Sequence, residues 1–115
     1  MLGLRKKAHL GGEKRIFITG GASGLGREIA LLYARKGYRV CIGDVHEERG
    51  LETEAELKAY STDSFYHHCD VTQISDIEAV KDRLVLSWGG VDIVVNNAGV
   101  GGTAGLVEDV PLKDW

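Results

Sequence analysis

Residues 19–26 read Thr19-Gly20-Gly21-Ala22-Ser23-Gly24-Leu25-Gly26, and what flanks this stretch decides the fold. Before it lies Arg15-Ile16-Phe17-Ile18-Thr19, a short β-branched and aromatic run that reads as a buried strand. After it, from about Gly24 to Lys36, Leu25, Ile29, Leu32 and Tyr33 recur at helical spacing, with Gly37 placed as a C-terminal stop. A glycine-rich turn between a strand and a helix leaves backbone N–H groups free at the positive end of the helix dipole. A pyrophosphate can approach such a turn because side chains are missing from it.

Outward from the turn the same alternation continues. A second strand is predicted over Arg39 to Asp44, a helix over about Glu47 to Ala59 with an acidic first turn, and a third strand over Ser64 to Cys69. A third helix is predicted from about Gln73 to Trp88, with Ile74, Ile77, Lys81, Leu84 and Trp88 on one stripe. Either Ser75-x-x-Glu78, as a capping box, or Thr72 is available to start it. The fourth strand, Val91 to Asn96, opens into a glycine-rich loop, Gly99 to Gly105. Strands alternating with helices of this length form βαβ units, so the expected fold is α/β, a Rossmann-type doubly wound parallel sheet.

One domain over 14–115 is expected, preceded by a flexible arm over 1–13 that carries Gly11-Gly12. Asp109 and Pro111 suit the first turn of a further helix, but Trp115 is the last residue, so the sheet is expected to be incomplete. The run Ile93-Val94-Val95 reads as a strand buried on both faces, which would leave a bare apolar edge without another strand beside it.

Composition removes several function classes. The 115 residues carry 14 Lys+Arg against 17 Asp+Glu, a net charge of −3, and lack the clustered positive excess of a nucleic-acid binder. The longest apolar stretch, Ile29 to Ala34, is six residues, far below the roughly 20 of a spanning helix. Met1 to Glu13 has no apolar core of the secretory kind. Two cysteines, Cys41 and Cys69, are too few for a disulfide scaffold and point to a reduced, cytoplasmic setting. In His67-His68-Cys69-Asp70 neighbours alternate faces, so no metal site is expected; Lys6-Lys7 and Lys14-Arg15 read as solvated charges. Glycine is the anomaly: 16 residues against a single proline, where ordinary usage of about 7% gives about eight.

The turn does not fit a P-loop, because Arg27 and Glu28 stand where Lys and Ser/Thr are needed, nor is G-x-G-x-x-G met literally. Its spacing, Thr19-Gly20-x-x-x-Gly24-x-Gly26, resembles the T-G-x-x-x-G-x-G signature of the short-chain dehydrogenase/reductase family. In the same order follow Asp44 ending the second strand, Cys69-Asp70-Val71 ending the third, and Asn96-Asn97-Ala98-Gly99 ending the fourth. The resemblance covers residues 15 to 115 and implies a strand order 3-2-1-4 and NAD as cofactor, with NADP less favoured.

On this resemblance Gly20, Gly24 and Gly26 permit the turn, the phosphate approach and close helix packing, while Ser23 and Leu25 offer hydroxyl and main-chain contacts. Asp44 would accept from the adenosine ribose hydroxyls and repel a 2′-phosphate. Asp70 would accept from the adenine amino group, with Val71 beside it; by residue type alone Asp70 is equally a helix N-cap. Asn97, with Ala98 and Gly99, would tie the sheet and border the ribose next to nicotinamide.

The family's hydride transfer uses a Tyr-x-x-x-Lys pair and an upstream Ser. Four residues after Tyr33, Tyr38, Tyr60 and Tyr66 stand Gly37, Ile42, Ser64 and Asp70, so no catalytic residue is assigned. The expectation is the N-terminal part of an NAD-dependent oxidoreductase acting on an alcohol or ketone, without turnover as 1–115. A small-molecule substrate and a homo-oligomeric full-length enzyme are implied, with no nucleic-acid or membrane partner. Two alternatives stay open, a non-catalytic NAD-binding or sensing module and an interaction subunit that completes its open sheet edge against a partner.

Overall fold

The computed structural model describes residues 3–6 and 14–97. Its elements in chain order are β1 (Gly3–Lys6), β2 (Arg15–Thr19), α1 (Gly24–Arg35), β3 (Arg39–Asp44), α2 (Glu47–Lys58), β4 (Phe65–His68), α3 (Ile74–Trp88) and β5 (Ile93–Asn96). They form a five-stranded sheet ordered β1-β5-β2-β3-β4. The four predicted strands are parallel and stand in the expected 3-2-1-4 order, with Phe17 opposite both Cys41 and Val94.

Helices cover the sheet on two faces. Ala30, Leu31 and Ala34 of α1 and Leu57 of α2 pack with Ile16, Ile18, Val40, Ile42, Ile93 and Val95 on one face. Ile77, Val80, Leu84 and Trp88 of α3 pack with Phe17, Cys41, Phe65 and Val94 on the other. Alternate residues of β2 and β5 thus feed opposite layers, which is why their sequences are continuously apolar.

Several expectations are corrected. Gly3–Lys6, expected within a flexible arm, is a strand antiparallel to β5, with Gly3 opposite Asn96 and Lys6 opposite Ile93. The exposed apolar edge expected on the fourth strand is therefore covered. In α1 the buried face is Gly26, Ala30, Leu31 and Ala34, whereas Leu25 and Leu32 are exposed. The reason is local: Gly26 sits against the Gly20 carbonyl, and seating it turns the small residues of the helix toward the sheet. In α3 Val80 is buried, while Ile74 is exposed. That helix starts after Gln73 with no side-chain cap, so neither Ser75 nor Thr72 caps it; the Thr72 hydroxyl donates to Asp70 instead, at 2.6 Å.

Arg15, read as solvated, is half-buried and hydrogen-bonded at the N-terminal end of the sheet. Its backbone N–H donates to Asp92 Oδ2 at 2.9 Å, its Nε to the same oxygen at 3.0 Å, and a terminal N–H to Asp92 Oδ1 at 3.0 Å. Another terminal N–H reaches the Trp88 carbonyl at 2.9 Å. One guanidinium therefore ties β2, the end of α3 and the start of β5, and positions the two central strands whose other ends build the site.

Candidate functional site

Parallel pairing brings the C-terminal ends of β2, β3, β4 and β5 to one edge of the sheet. From β2 the chain proceeds outward through β3 and β4, then returns to place β5 on the other side of β2. Ligands of open α/β sheets bind in the crevice at such a switch point. Here it lies between Thr19 and Asn96, and the glycine-rich turn leaves from it.

The turn is held by its neighbours. The N–H groups of Gly20 and Gly21 donate to the Gly43 carbonyl at 2.7 and 3.3 Å. The Thr19 hydroxyl accepts from the Asn97 N–H at 2.9 Å, and its own proton faces Val95 O at 3.4 Å and Asn96 Oδ1 at 3.3 Å. Asn97 Nδ2 donates to the Gly20 carbonyl at 3.4 Å. Turn and β5 terminus thus form one hydrogen-bonded unit across the switch point.

Two glycine properties are required there. Gly20 and Gly24 have φ of +66° and +57°, the left-handed region that residues with a Cβ disfavour. A Cβ on Gly26 would lie 2.0 Å from the Gly20 oxygen and 2.5 Å from Asn97 Nδ2. Around Gly24, by contrast, a Cβ would have nothing within 4 Å. The first turn of α1 is therefore uncovered, with Ser23, Gly24 and Leu25 exposed. Ser23 is the N-cap residue but makes no capping bond through its side chain. Open space over free helix N–H groups fits a phosphate.

Asp44 ends β3 beside the turn and is buried to 7% exposure. Its Oδ2 accepts from the Ala22 N–H at 3.2 Å and its Oδ1 from the His46 N–H at 3.0 Å. Each carboxylate oxygen has a further lone-pair direction, so Asp44 can brace the turn and still accept from a ligand hydroxyl. Below it, the Tyr66 hydroxyl donates to the Asp44 carbonyl at 2.9 Å, and burial pushes that phenol above its usual range.

Asp70 follows β4. Its Oδ1 accepts from the backbone N–H and hydroxyl of Thr72 at 2.9 and 2.6 Å, an Asx turn ahead of α3 rather than the N-cap its residue type allowed. These hydrogen bonds from Thr72 hold its carboxyl below the ordinary value. Val71 is buried in the α3-side core. The predicted site residues Gly20, Ser23, Gly24, Leu25, Gly26, Asp44, Asp70, Val71 and Asn97 thus all lie at the strand C-termini, in the turns leaving them or in the first turn of α1. Ala98 and Gly99 lie outside the described residues.

Sequence reading missed the bracing role of Asp44, the hydrogen bond from Asn97 to Gly20, and the contribution of Gly43, whose carbonyl anchors the turn. The signal was present for Gly43: a Cβ there would come within 3.0 Å of both Cys69 and the Phe17 ring, and a glycine inside a strand marks such close approach.

Other groups do not join this site. Burial raises the Cys41 thiol well above its usual range and pushes Cys69 up to about 12, so both are inert thiols at neutral pH. Arg27 pairs with Glu56 on the exposed flank of α1 and α2; hydrogen bonding to Glu56 raises the guanidinium further. Among the described residues no helix is long and apolar enough to cross a membrane.

Residues 14–115 match the family model described as short chain dehydrogenase. The chain is 44% identical over 85 residues to (+)-borneol dehydrogenase 2 of Salvia officinalis, covering 74% of this chain and 30% of that protein. Among solved structures it superposes on the alcohol dehydrogenase of the archaeon Thermococcus sibiricus complexed with 5-hydroxy-NADP, with TM-score 0.72 and 35% identity, over 78% of this chain and 39% of that one. It also superposes on the 3-ketoacyl-(acyl-carrier-protein) reductase of Brucella melitensis complexed with NADH, with TM-score 0.70 and 31% identity, over 76% of this chain and 35% of that one. In each pairing the chain spans less than two-fifths of its relative.

Proposed function

The chain belongs to the short chain dehydrogenase family, and on that premise we propose that it is the dinucleotide-binding part of an NAD-dependent oxidoreductase acting on an alcohol or ketone. When bound, the nicotinamide supplies or accepts the hydride. This chain's own residues bind and orient the other end of the cofactor. The uncovered first turn of α1 receives the pyrophosphate through Ser23, Gly24 and Leu25, with Gly20 and Gly26 shaping the approach. Asp70 and Val71 border the adenine, and Asn97, continuing into Ala98 and Gly99, borders the ribose next to nicotinamide.

The observation that carries the preference for NAD is the Asp44 carboxylate, anchored at the end of β3 by the Ala22 and His46 N–H groups. Placed there, it accepts from ribose hydroxyls and repels a phosphate on the 2′ position. The relatives include complexes with an NADP derivative and with NADH, so the choice rests on this residue and not on kinship. We further propose that residues 1–115 alone give no turnover, because they hold no Tyr-x-x-x-Lys pair. The setting proposed is cytoplasmic, with a small-molecule substrate, no nucleic-acid or membrane partner, and a homo-oligomeric full-length enzyme.

Calorimetry of the chain with NAD and with NADP tests this, in the wild type and in Asp44→Ala. Hydrogen bonds to a charged group are worth about 1.5–3 kcal/mol. The NAD:NADP affinity ratio should favour NAD in the wild type and fall by about tenfold or more in the variant. A wild type that binds NADP as well as NAD would overturn the preference.

A further inference from the structure

Asp44 is held at both its side chain and its backbone. Its carboxylate accepts from the Ala22 and His46 N–H groups, and its backbone carbonyl accepts from the Cys69 N–H at 3.1 Å and the Tyr66 hydroxyl at 2.9 Å. Three of these four donors are main-chain groups, present whatever residue stands at their positions. Among the described residues only the Tyr66 hydroxyl reaches Asp44 from a side chain, so it is the donor that the sequence chooses. A carbonyl oxygen has two lone-pair directions, and with both taken the peptide after Asp44 is fixed in orientation. Asp44 needs this hold because it ends β3 and the next residue, Val45, is exposed.

Tyr66 is built for this reach. It lies opposite Ile42 of β3 and packs in the layer of α1 and α2. Side chains on one face of a strand recur at every second residue, so the same face continues from Ile42 to Asp44, and the ring carries its hydroxyl along the strand to that point. The Tyr66 N–H is itself pinned by the Glu54 carboxylate of α2 at 2.8 Å. α2 also yields a position to the ring: a Cβ on Gly50 would lie 2.3 Å from Tyr66 Cε1. Glycine is a poor helix former, so α2 gives up propensity at the place where the ring passes.

We infer that Tyr66 is a positioning residue for cofactor choice: through the Asp44 carbonyl it fixes the direction in which the Asp44 carboxylate meets a ribose hydroxyl. The inference rests on Asp44 being the ribose acceptor proposed above, and adds to it a residue that acts only through Asp44. A carboxylate free to swing loses the ribose hydroxyls, because hydrogen bonds weaken steeply with angle, and it can also move aside for a 2′-phosphate. Both effects lower the preference for NAD. A buried tyrosine hydroxyl needs a partner in any case, but that role alone predicts a loss of stability without a change in cofactor preference.

Tyr66→Phe keeps the ring and removes only the hydroxyl. The test is calorimetry of the full chain with NAD and with NADP in the wild type, Tyr66→Phe, Asp44→Ala and the double variant, with thermal unfolding and amide resonances recorded for each. A hydrogen bond of this kind is worth about threefold to tenfold, so Tyr66→Phe should lower the NAD:NADP affinity ratio by about that factor and move the Ala22 and His46 amide resonances. In the Asp44→Ala chain the same change should alter the ratio by less than about twofold, because the hydroxyl then has no carboxylate to position. A lowered Tm with an unmoved ratio, or an equal fall of the ratio in the Asp44→Ala chain, overturns the inference. So do unmoved Ala22 and His46 resonances in Tyr66→Phe, a readout that decides even where the Asp44→Ala chain does not fold. An Asp44→Ala chain that keeps the wild-type ratio strikes the reading of Asp44 itself, and the inference falls with it.

Discussion

Replacing Gly26 by alanine sets two effects of opposite sign against each other. Gly26 lies in the first turn of α1, where alanine is the better helix former by about 0.8–1 kcal/mol. Propensity alone therefore predicts a more stable protein. The structure predicts the reverse, because the new Cβ would lie 2.0 Å from the Gly20 oxygen and 2.5 Å from Asn97 Nδ2. An ordinary contact needs more than about 3 Å, so α1 and the turn must separate by about 1 Å or more. Overpacking of this kind costs about 1–3 kcal/mol, and backbone at both sides of the clash puts it at the upper end. Net destabilisation should be about 1–2 kcal/mol, a fall in Tm of several degrees for a domain of this size. Because Gly20 also anchors Asn97, the amide resonances of Gly20, Gly21 and Asn97 should move and NAD affinity should drop. Thermal unfolding by circular dichroism, followed by amide chemical shifts, makes the measurement. A rise in Tm with those resonances unmoved would refute the reasoning.

Asp92→Ala should cost about 1.5–3 kcal/mol, because it removes a buried carboxylate that accepts three hydrogen bonds from Arg15, whereas Glu56→Ala on the exposed Arg27 pair should cost less than about 1 kcal/mol; denaturant unfolding of both variants checks the contrast. Cys41 and Cys69 should not react with a thiol-specific disulfide reagent at pH 8 in the folded chain, and both should react once it is denatured. Since burial raises both thiols, with Cys69 at about 12, their contribution to stability is fully present below the ordinary thiol value and is lost as pH rises toward the folded one. Loss of stability between neutral pH and pH 8 that disappears in a Cys69→Ala chain would contradict this.

The site was legible from sequence where its chemistry depends on local residue type. Gly20 and Gly24 announce a turn with left-handed backbone and Gly26 a close approach that a Cβ would obstruct, and Asp44 announces an acceptor at a strand end. The sheet order was legible because β2 to β5 are continuously apolar and separated by helices. What remained hidden depends on long-range pairing. Gly3–Lys6 has no strand signature of its own; it becomes a strand because β5 offers a register of unpaired main-chain groups, an instance of context overriding propensity. Arg15 looks like any charge at the foot of a strand until Asp92, 77 positions on, arrives beside it. In α1 the periodicity of Leu25, Ile29, Leu32 and Tyr33 suggested the buried face; Ile29 and Tyr33 do pack against the core, but Leu25 and Leu32 are exposed, because seating Gly26 against the turn rotated the helix toward its small residues.

The central claim is that the turn from Thr19 to Gly26, with Asp44 beside it, holds a dinucleotide. Titrating the ¹⁵N-labelled chain with NAD while following its amide resonances tests that most directly. The account predicts saturable shifts confined to the sheet's C-terminal edge: Gly20 to Gly26, His46, Asp70 to Val71 and Asn97, with the N-terminal ends around Arg15 and Asp92 unmoved. Shifts absent at saturating NAD, or centred on Arg15 and Asp92, would contradict it.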